Sequence, residues 1–444
     1  MNYKNIIHLV LAFAAAYSVR YWVDADDSIQ LGLSLFIVIG WLWVSEAIHI
    51  SVTALLVPVL AVVSGLLPVS EAFASFANPV IFLFMGGFAL AAGLQKHQLD
   101  QAFAAKIMSL SGGRTLPAVL LLFSTTAVLS MWISNTATVA MMLPLAMSLL
   151  SGRDREKNHA LYLFVLLGLA YSGNLGGIAT LIGSPPNAIA ASLMGISFRD
   201  WLSWGIPMFL LMFPIMLLLL YLLFRPDFSG SLRFNYQPQA MNRKRSTVLV
   251  IFSLTVAGWL FSAPLASVFG VTAGFDALVA VLAVVLLTGS GSLKFNEFVE
   301  KTNWGILILF GGGLTLGVVL QSSGTSAWLA NQISVQLPVH NSWLLLLVIC
   351  LFVIFLTELV SNTASAALLI PLFVSVAVEL NLSEVGMAVM IALCASCAFM
   401  LPVATPPNAI VYSSACVPQR QMVRAGLVLN LCFALLIATI GWWL

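Results

Sequence analysis

The chain has 444 residues, 61% of them hydrophobic and only 8% charged, with a formal net charge of +2. A soluble globular domain carries about 25% charged residues. The composition therefore excludes a water-soluble fold and predicts an all-α polytopic protein of the lipid bilayer, built from runs of roughly 20 apolar residues. A charge so close to neutral gives no ground for a nucleic-acid partner.

Apolar spans are predicted at 6–23, 29–47, 50–67 and 79–95. Met1 to Lys4 leads straight into the first without a small-residue cleavage site, so no cleaved leader is expected. Phe103, Ile107 and Leu110 share one helical face near 99–111, with Lys106 off it, which suggests an interfacial helix. The run 116–150 is broken at Ser134-Asn135-Thr136, and 161–195 at Gly183-Ser184-Pro185-Pro186-Asn187; 201–224 follows. After a polar stretch from Arg225 to Arg245 come spans at 246–263, 275–289 and 304–320, then a weakly amphipathic stretch near 325–336. The run 342–380 is broken at Ser361-Asn362-Thr363, 385–416 at Ala404-Thr405-Pro406-Pro407-Asn408, and 425–443 closes the series.

Lysine and arginine set the orientation. If the runs broken at Ser-Asn-Thr are re-entrant hairpins and the N-terminus is inside, all but Arg20 and Arg199 of the 18 basic residues fall on the cytoplasmic side. If the hairpins spanned instead, Arg153, Arg155 and Lys157 would move outside. The expectation is therefore about eleven spans plus two hairpins in the bacterial cytoplasmic membrane, N-terminus cytoplasmic and C-terminus periplasmic or extracellular.

The halves repeat. Asn78-Pro79-Val80-Ile81-Phe82-Leu83-Phe84-Met85-Gly86-Gly87 resembles Asn303-Trp304-Gly305-Ile306-Leu307-Ile308-Leu309-Phe310-Gly311-Gly312, 225 positions on. The Ser-Asn-Thr copies lie 227 apart and the Pro-Pro-Asn copies 221 apart. An odd number of spans separates the counterparts, so the halves are inverted. Inverted repeats with helices broken at matching places are the signature of a secondary transporter whose site lies at the repeat interface.

The broken segments have chemistry to offer. Irregular backbone at membrane depth must line a cavity or be buried in protein. A hairpin tip exposes the N-terminus of its returning helix, whose free N–H groups suit an anion. Ser, Thr and Asn add donors, while their oxygens and the loop carbonyls suit a hard cation such as Na⁺. Ser-Asn-Thr could also serve only as a helix cap. Asn187 and Asn408 could serve only the breaks, with Ser184 and Thr405 favoured as ligand contacts. No Lys or Arg lies deep near these motifs, so an anion would need bound cations and helix ends to offset its charge. Glu358 is either a coupling or gating carboxyl or a structural one; Glu46, at a span end, reads as interfacial. His8, His49, His97, His159 and His340 are scattered. Cys350, Cys394, Cys397, Cys416 and Cys432 sit in apolar surroundings and read as packing residues. Neither an enzyme nor an organic cofactor is expected, because no nucleophile–base pair or ligand cluster lies at depth. A channel would not require inverted broken helices.

Taken together, the two Ser-Asn-Thr tips, Gly183 to Asn187 and the run Pro402 to Asn408 resemble the divalent anion–sodium symporter family, including its bacterial INDY-type dicarboxylate transporters. The likeness covers nearly the whole chain. It implies a substrate site of Ser134, Asn135, Thr136, Ser184, Pro185, Ser361, Asn362, Thr363, Thr405 and Pro406. It implies one sodium site at Ser130, Ser134, Asn135 and Gly183, and a second at Thr357, Val360, Asn362 and Ala404. It further implies a homodimer with an elevator mechanism, in which 1–115 and 226–341 form the scaffold while 116–225 and 342–444 form the transport parts. The function implied is sodium-coupled import of a C4-dicarboxylate such as succinate, malate or fumarate. A sulfate or tricarboxylate symporter, or an exchanger of the same fold, is the alternative.

The charge split is checked by labelling. A single cysteine replacing Arg153, in a chain without its native cysteines, should react with an impermeant thiol reagent only from the cytoplasmic side, and one replacing Asn381 only from the other. Reaction of both from one side removes the re-entrant arrangement.

Overall fold

The computed structural model describes residues 3–151, 153–229, 241–336 and 342–443, and in these every regular element is helical. Arg233 and His340 lie outside the described residues. The first half runs α1 (Tyr3–Trp22), α2 (Asp27–Ser45), α3 (Ile50–Val63), α4 (Val69–Ala74), α5 (Pro79–Lys96), α6 (Leu99–Ser109), α7 (Thr115–Ser130), α8 (Asn135–Leu150), α9 (His159–Ala179), α10 (Pro185–Met194) and α11 (Phe198–Phe224). The second runs α12 (Arg243–Leu260), α13 (Ser262–Phe269), α14 (Phe275–Gly289), α15 (Phe295–Lys301), α16 (Trp304–Ser322), α17 (Thr325–Gln336), α18 (Ser342–Thr357), α19 (Asn362–Glu379), α20 (Glu384–Ala395), α21 (Pro406–Ser413) and α22 (Gln419–Trp442).

Local chemistry explains where these helices start. Asn78 caps α5, its side chain accepting from Val80 N at 2.9 Å with Pro79 in the first turn, and Asn303 caps α16 by accepting from Ile306 N at 3.3 Å. A proline pair inside an apolar run removes two N–H donors and clashes with the preceding turn. The chain therefore stops α9 at Ala179, makes one tight turn at Leu181–Gly183, and restarts as α10 on Pro185-Pro186. The same happens at Pro406-Pro407, where α21 begins. Every predicted break is thus a helix boundary. One predicted span, 246–263, ends in a bend: α13 leaves α12 at 82°.

The halves correspond from α2 to α11 and from α12 to α22, and they interlock rather than sit side by side. α5 packs on α14 of the other half, and α16 on α3; α9 packs on α21, and α10 on α20. These crossings are close because they lack side chains. A Cβ on Gly86 would stand 2.6 Å from the Ala280 Cβ, and one on Gly312 2.5 Å from the Ala54 carbonyl oxygen. Outside the bundle core, the Lys96 ammonium lies 2.5 Å from Glu297 and holds that carboxyl below its ordinary value, tying the end of α5 to α15.

α7 and α8 are 16 residues each, about 24 Å at 1.5 Å per residue. They pack on one another across the turn 131–134. Arg153 Nη2 donates to Thr115 Oγ1 at 2.8 Å, so the start of α7 and the chain beyond α8 meet at one end, as in a hairpin that returns to the side it left. Arg155 donates to the Ala415 carbonyl at the same end. α9 lies behind this hairpin, and its last 19 residues are all buried. Seven described helices are long and apolar enough to cross a bilayer singly, or eight if α12 and α13 count as one bent span; shorter apolar helices, α3 and α14 among them, accompany them.

Gly176 sets the hairpin's seat on α9. A Cβ there would stand 2.3 Å from the Ala127 carbonyl oxygen, which is backbone and cannot step aside. Gly176→Ala should cost about 1–3 kcal/mol through overpacking and lower the melting temperature of the purified protein. Gly289→Ala, with nothing within 4 Å of its new methyl, should not lower it. Equal melting of wild type and Gly176→Ala would show that the hairpin is loosely seated.

Candidate functional site

Both tips and both breaks open onto one cavity of about 790 Å³. Ser134, Asn135 and Thr136 line it from the first tip, and Ser361, Asn362 and Thr363 from the second. Gly183, Ser184 and Pro185 line it from the first break, and Ala404, Thr405 and Pro406 from the second. Phe84, Phe88 and Trp132 add an aromatic wall. Four helices begin at this cavity from the tips and breaks: α8, α10, α19 and α21. Their N-termini direct positive partial charge into it.

Their free donors differ. Ser134 caps α8 by accepting from Ala137 N at 3.3 Å, whereas Ser361 makes no such bond to α19. Thr405 Oγ1 accepts from Asn408 N at 3.3 Å, whereas Ser184 leaves α10 without a side-chain cap.

Behind each tip lies a cluster of oxygens. Ser130 Oγ is 2.6 Å from Asn135 Oδ1 and 2.7 Å from the Gly173 carbonyl oxygen. Thr357 Oγ1 is 2.8 Å from Asn362 Oδ1 and 3.0 Å from the Ala395 carbonyl oxygen. Ser130 and Thr357 are fully buried and stand behind the cavity wall, while Gly183, Val360 and Ala404 are part of it. In each cluster three oxygens share a single hydroxyl hydrogen.

Other polar residues hold the breaks in shape. Asn187 Nδ2 donates to the carbonyls of Gly177 at 2.9 Å and Thr180 at 2.8 Å. Asn408 Nδ2 donates to those of Ala398 at 3.1 Å and Leu401 at 3.0 Å. Both asparagines are fully buried behind the cavity, so bracing is their visible role. Glu358 is 2% exposed and is also outside the cavity lining. Its carboxylate accepts from the amides of Phe399 (2.7 Å), Met400 (2.8 Å) and Leu401 (3.0 Å) and from Asn430 Nδ2 (2.7 Å). Of the two readings of Glu358, the geometry is that of a structural carboxyl.

The cavity lining contains no Lys, Arg or His among the described residues. Its one acidic residue is Glu46, at the C-terminal cap of α2 with φ 48°. Sequence reasoning does not bring Glu46 or Asn174 to the cavity. Asn174 is 2% exposed on α9 and reaches the second break. Its signal is an amide in an otherwise apolar helix, two residues before Gly176-Gly177. No group of three or more His, Cys, Asp or Glu residues could hold a metal ion among the described residues. Cys394 and Cys397 are buried and free.

Comparison with known proteins identifies the family. The family model described as citrate transporter, CitMHS, matches residues 41–378. An uncharacterized transporter of Haemophilus influenzae is 46% identical over 99% of this chain and 97% of its own length. The sodium-dependent dicarboxylate transporter SdcS of Staphylococcus saprophyticus is 31% identical over 100% of this chain and 92% of its own. Two solved structures share the fold at 14% identity. The YdaH transporter of Alcanivorax borkumensis has a TM-score of 0.59, covering 93% of this chain and 98% of that one. MtrF of Neisseria gonorrhoeae has a TM-score of 0.57, covering 99% and 93%. The chain is thus a multi-pass membrane transporter, not an enzyme, and it belongs to the citrate transporter family, alongside the divalent anion–sodium symporters that its motifs resemble.

Proposed function

We propose that the protein is a sodium-coupled symporter that imports a small dicarboxylate such as succinate, malate or fumarate across the bacterial cytoplasmic membrane. The observation that carries this is the pair of tips facing one cavity without a basic side chain. Helix ends supply only about half a positive charge each. A dianion there needs further positive charge, and the oxygen clusters at Ser130–Asn135–Gly173 and Thr357–Asn362–Ala395 are where small hard cations would fit. A cation at either cluster would relieve the contact of oxygens that lack a hydrogen between them. Asn135 and Asn362 then serve both ions, with Oδ1 toward the cation and Nδ2 free for the anion. The sodium-dependent dicarboxylate transporters of Staphylococcus are relatives whose names state this coupling. The family's description as citrate transporters favours a tricarboxylate as the second reading. A homodimer is part of this proposal, as is an elevator movement of the parts 116–225 and 342–444 against the parts 1–115 and 226–341.

Asn135→Ala or Asn362→Ala should each remove about 1.5–3 kcal/mol of charge-assisted contact, more than tenfold in apparent affinity. Uptake by proteoliposomes at limiting sodium and substrate reads this loss; normal uptake by either variant excludes that asparagine from the site. Sodium and anion must also help each other by the same factor. Succinate should raise the melting temperature of the purified protein in NaCl and hardly in choline chloride. An equal rise in both salts rejects sodium coupling, and a rise with citrate but not succinate selects the second reading.

A further inference from the structure

The two breaks match in their main chain but not in what holds their hydroxyls. Asn174 Nδ2 donates to Thr405 Oγ1 at 3.2 Å and lies 3.4 Å from Asn408 Oδ1. Thr405 Oγ1 also accepts from Asn408 N at 3.3 Å. Both acceptor positions of this hydroxyl oxygen are therefore filled by N–H groups, and its own hydrogen is given to no protein acceptor among the described residues. Thr405 lines the cavity and is 4% exposed. A hydroxyl so held can only donate toward the cavity.

The repeat-related position shows the contrast. Gly173 and Ala395 offer the equivalent carbonyls to Ser130 and Thr357, so the residue after each, Asn174 and Ser396, are counterparts. Ser396 Oγ gives its hydrogen to the Ala392 carbonyl at 3.1 Å and stands 3.4 Å from Ser184 Oγ. It offers Ser184 an oxygen, not an N–H. Ser184 can donate to Ser396 or to a ligand, and it can also accept from a ligand. Nor does Ser396 serve the neighbouring amide: the buried Asn187 Oδ1 has no hydrogen-bond partner, where Asn408 Oδ1 has Asn174.

We infer that Asn174 is a positioning residue that fixes the Thr405 hydroxyl as an obligate donor, so that the second break cannot accept a hydrogen bond from the substrate and favours an ionised carboxylate, the stronger acceptor, while the first, at Ser184, takes a carboxylate or a group that itself donates. The inference rests on the anion-transporter reading. It assigns the two ends of the substrate different demands, although the motifs that meet them are copies. A succinate monoanion could then find an acceptor for its acid proton at Ser184 but not at Thr405, where the acid could only accept through its carbonyl oxygen, a weaker acceptor than a carboxylate.

The test uses the full-length protein in proteoliposomes with succinate and, separately, citrate, measured for wild type, Asn174→Ala, Asn174→Ser, Thr405→Val, Thr405→Ser and the double variant Asn174→Ala/Thr405→Val. Loss of one hydrogen bond corresponds to about a two- to tenfold change. Asn174→Ala and Thr405→Val should each raise KM by about that factor with kcat nearly kept, the double variant should be no worse than Thr405→Val, and Thr405→Ser should behave as wild type. As pH falls and the dianion becomes monoanion, uptake by Asn174→Ala should fall less steeply than wild type, because its freed hydroxyl can accept a hydrogen bond from the protonated end. Should Asn174→Ala not fold, Asn174→Ser, which copies Ser396, should show the same pH change. KM losses that multiply in the double variant, or a pH profile parallel to wild type, overturn the role of Asn174. A wild-type protein that takes up neither anion overturns the carboxylate-substrate reading and this inference with it.

Discussion

A helix broken inside an apolar bundle releases backbone N–H and C=O groups that lipid cannot satisfy, and each costs several kcal/mol if left alone. This structure has four such breaks around one cavity, and everything near them is arranged to answer that cost. The proline pairs remove donors that would otherwise be orphaned at the starts of α10 and α21. Asn187 and Asn408 supply donors to the carbonyls left at the ends of the preceding helices. With the backbone satisfied from behind, the tip and break side chains are left to face the cavity. The Pro-Pro-Asn motif is thus one device in two copies, and its asparagine is as much a part of it as its prolines.

The copies have diverged where a loop must be held to a hairpin tip. In the first half Thr180 Oγ1 donates to the Met131 carbonyl at 2.5 Å and accepts from Gly183 N at 3.1 Å. In the second half the position of Met131 is Glu358, whose carboxylate gathers three consecutive loop amides and Asn430. A buried carboxylate is tolerable only with such a set of donors. Four donors meet its two oxygens locally, which is the geometry of a carboxyl that braces the loop.

Much of this was legible in the sequence because it is written twice. Ser-Asn-Thr and Pro-Pro-Asn at nearly constant separation mark the breaks, and Pro and Asn act within a turn of where they stand, so local chemistry suffices to place α8, α10, α19 and α21. All ten residues expected at the substrate site line the cavity. What sequence leaves open depends on distant partners. Whether Glu358 gates or braces turns on amides about 41 to 43 positions away. Asn174 reads as one amide in an apolar helix until α9 and α21 are packed, because periodicity says which face it shares but not what lies opposite. The bend between α12 and α13 at Phe261 has its local signal in Pro264, in the first turn of α13, whose ring and missing N–H break the helix at the carbonyl of Leu260; the predicted span 246–263 reads through it because it stops one residue short of that proline.

The missing basic side chain also makes physical sense for a carrier. A lysine or arginine in the cavity would hold a dianion well, but it would leave an uncompensated charge whenever the site is empty, and moving that charge through the low-dielectric part of the membrane is expensive. Hydroxyls, amides and helix ends carry no net charge, so the tips and breaks stay neutral when the site is empty. On the proposed mechanism the loaded part is close to neutral too, since the co-transported cations balance the anion. The state that such a design penalises is the half-loaded one, with cations or anion alone. On that mechanism the penalty would couple the two fluxes, and it would arise from charge and burial without any residue that titrates.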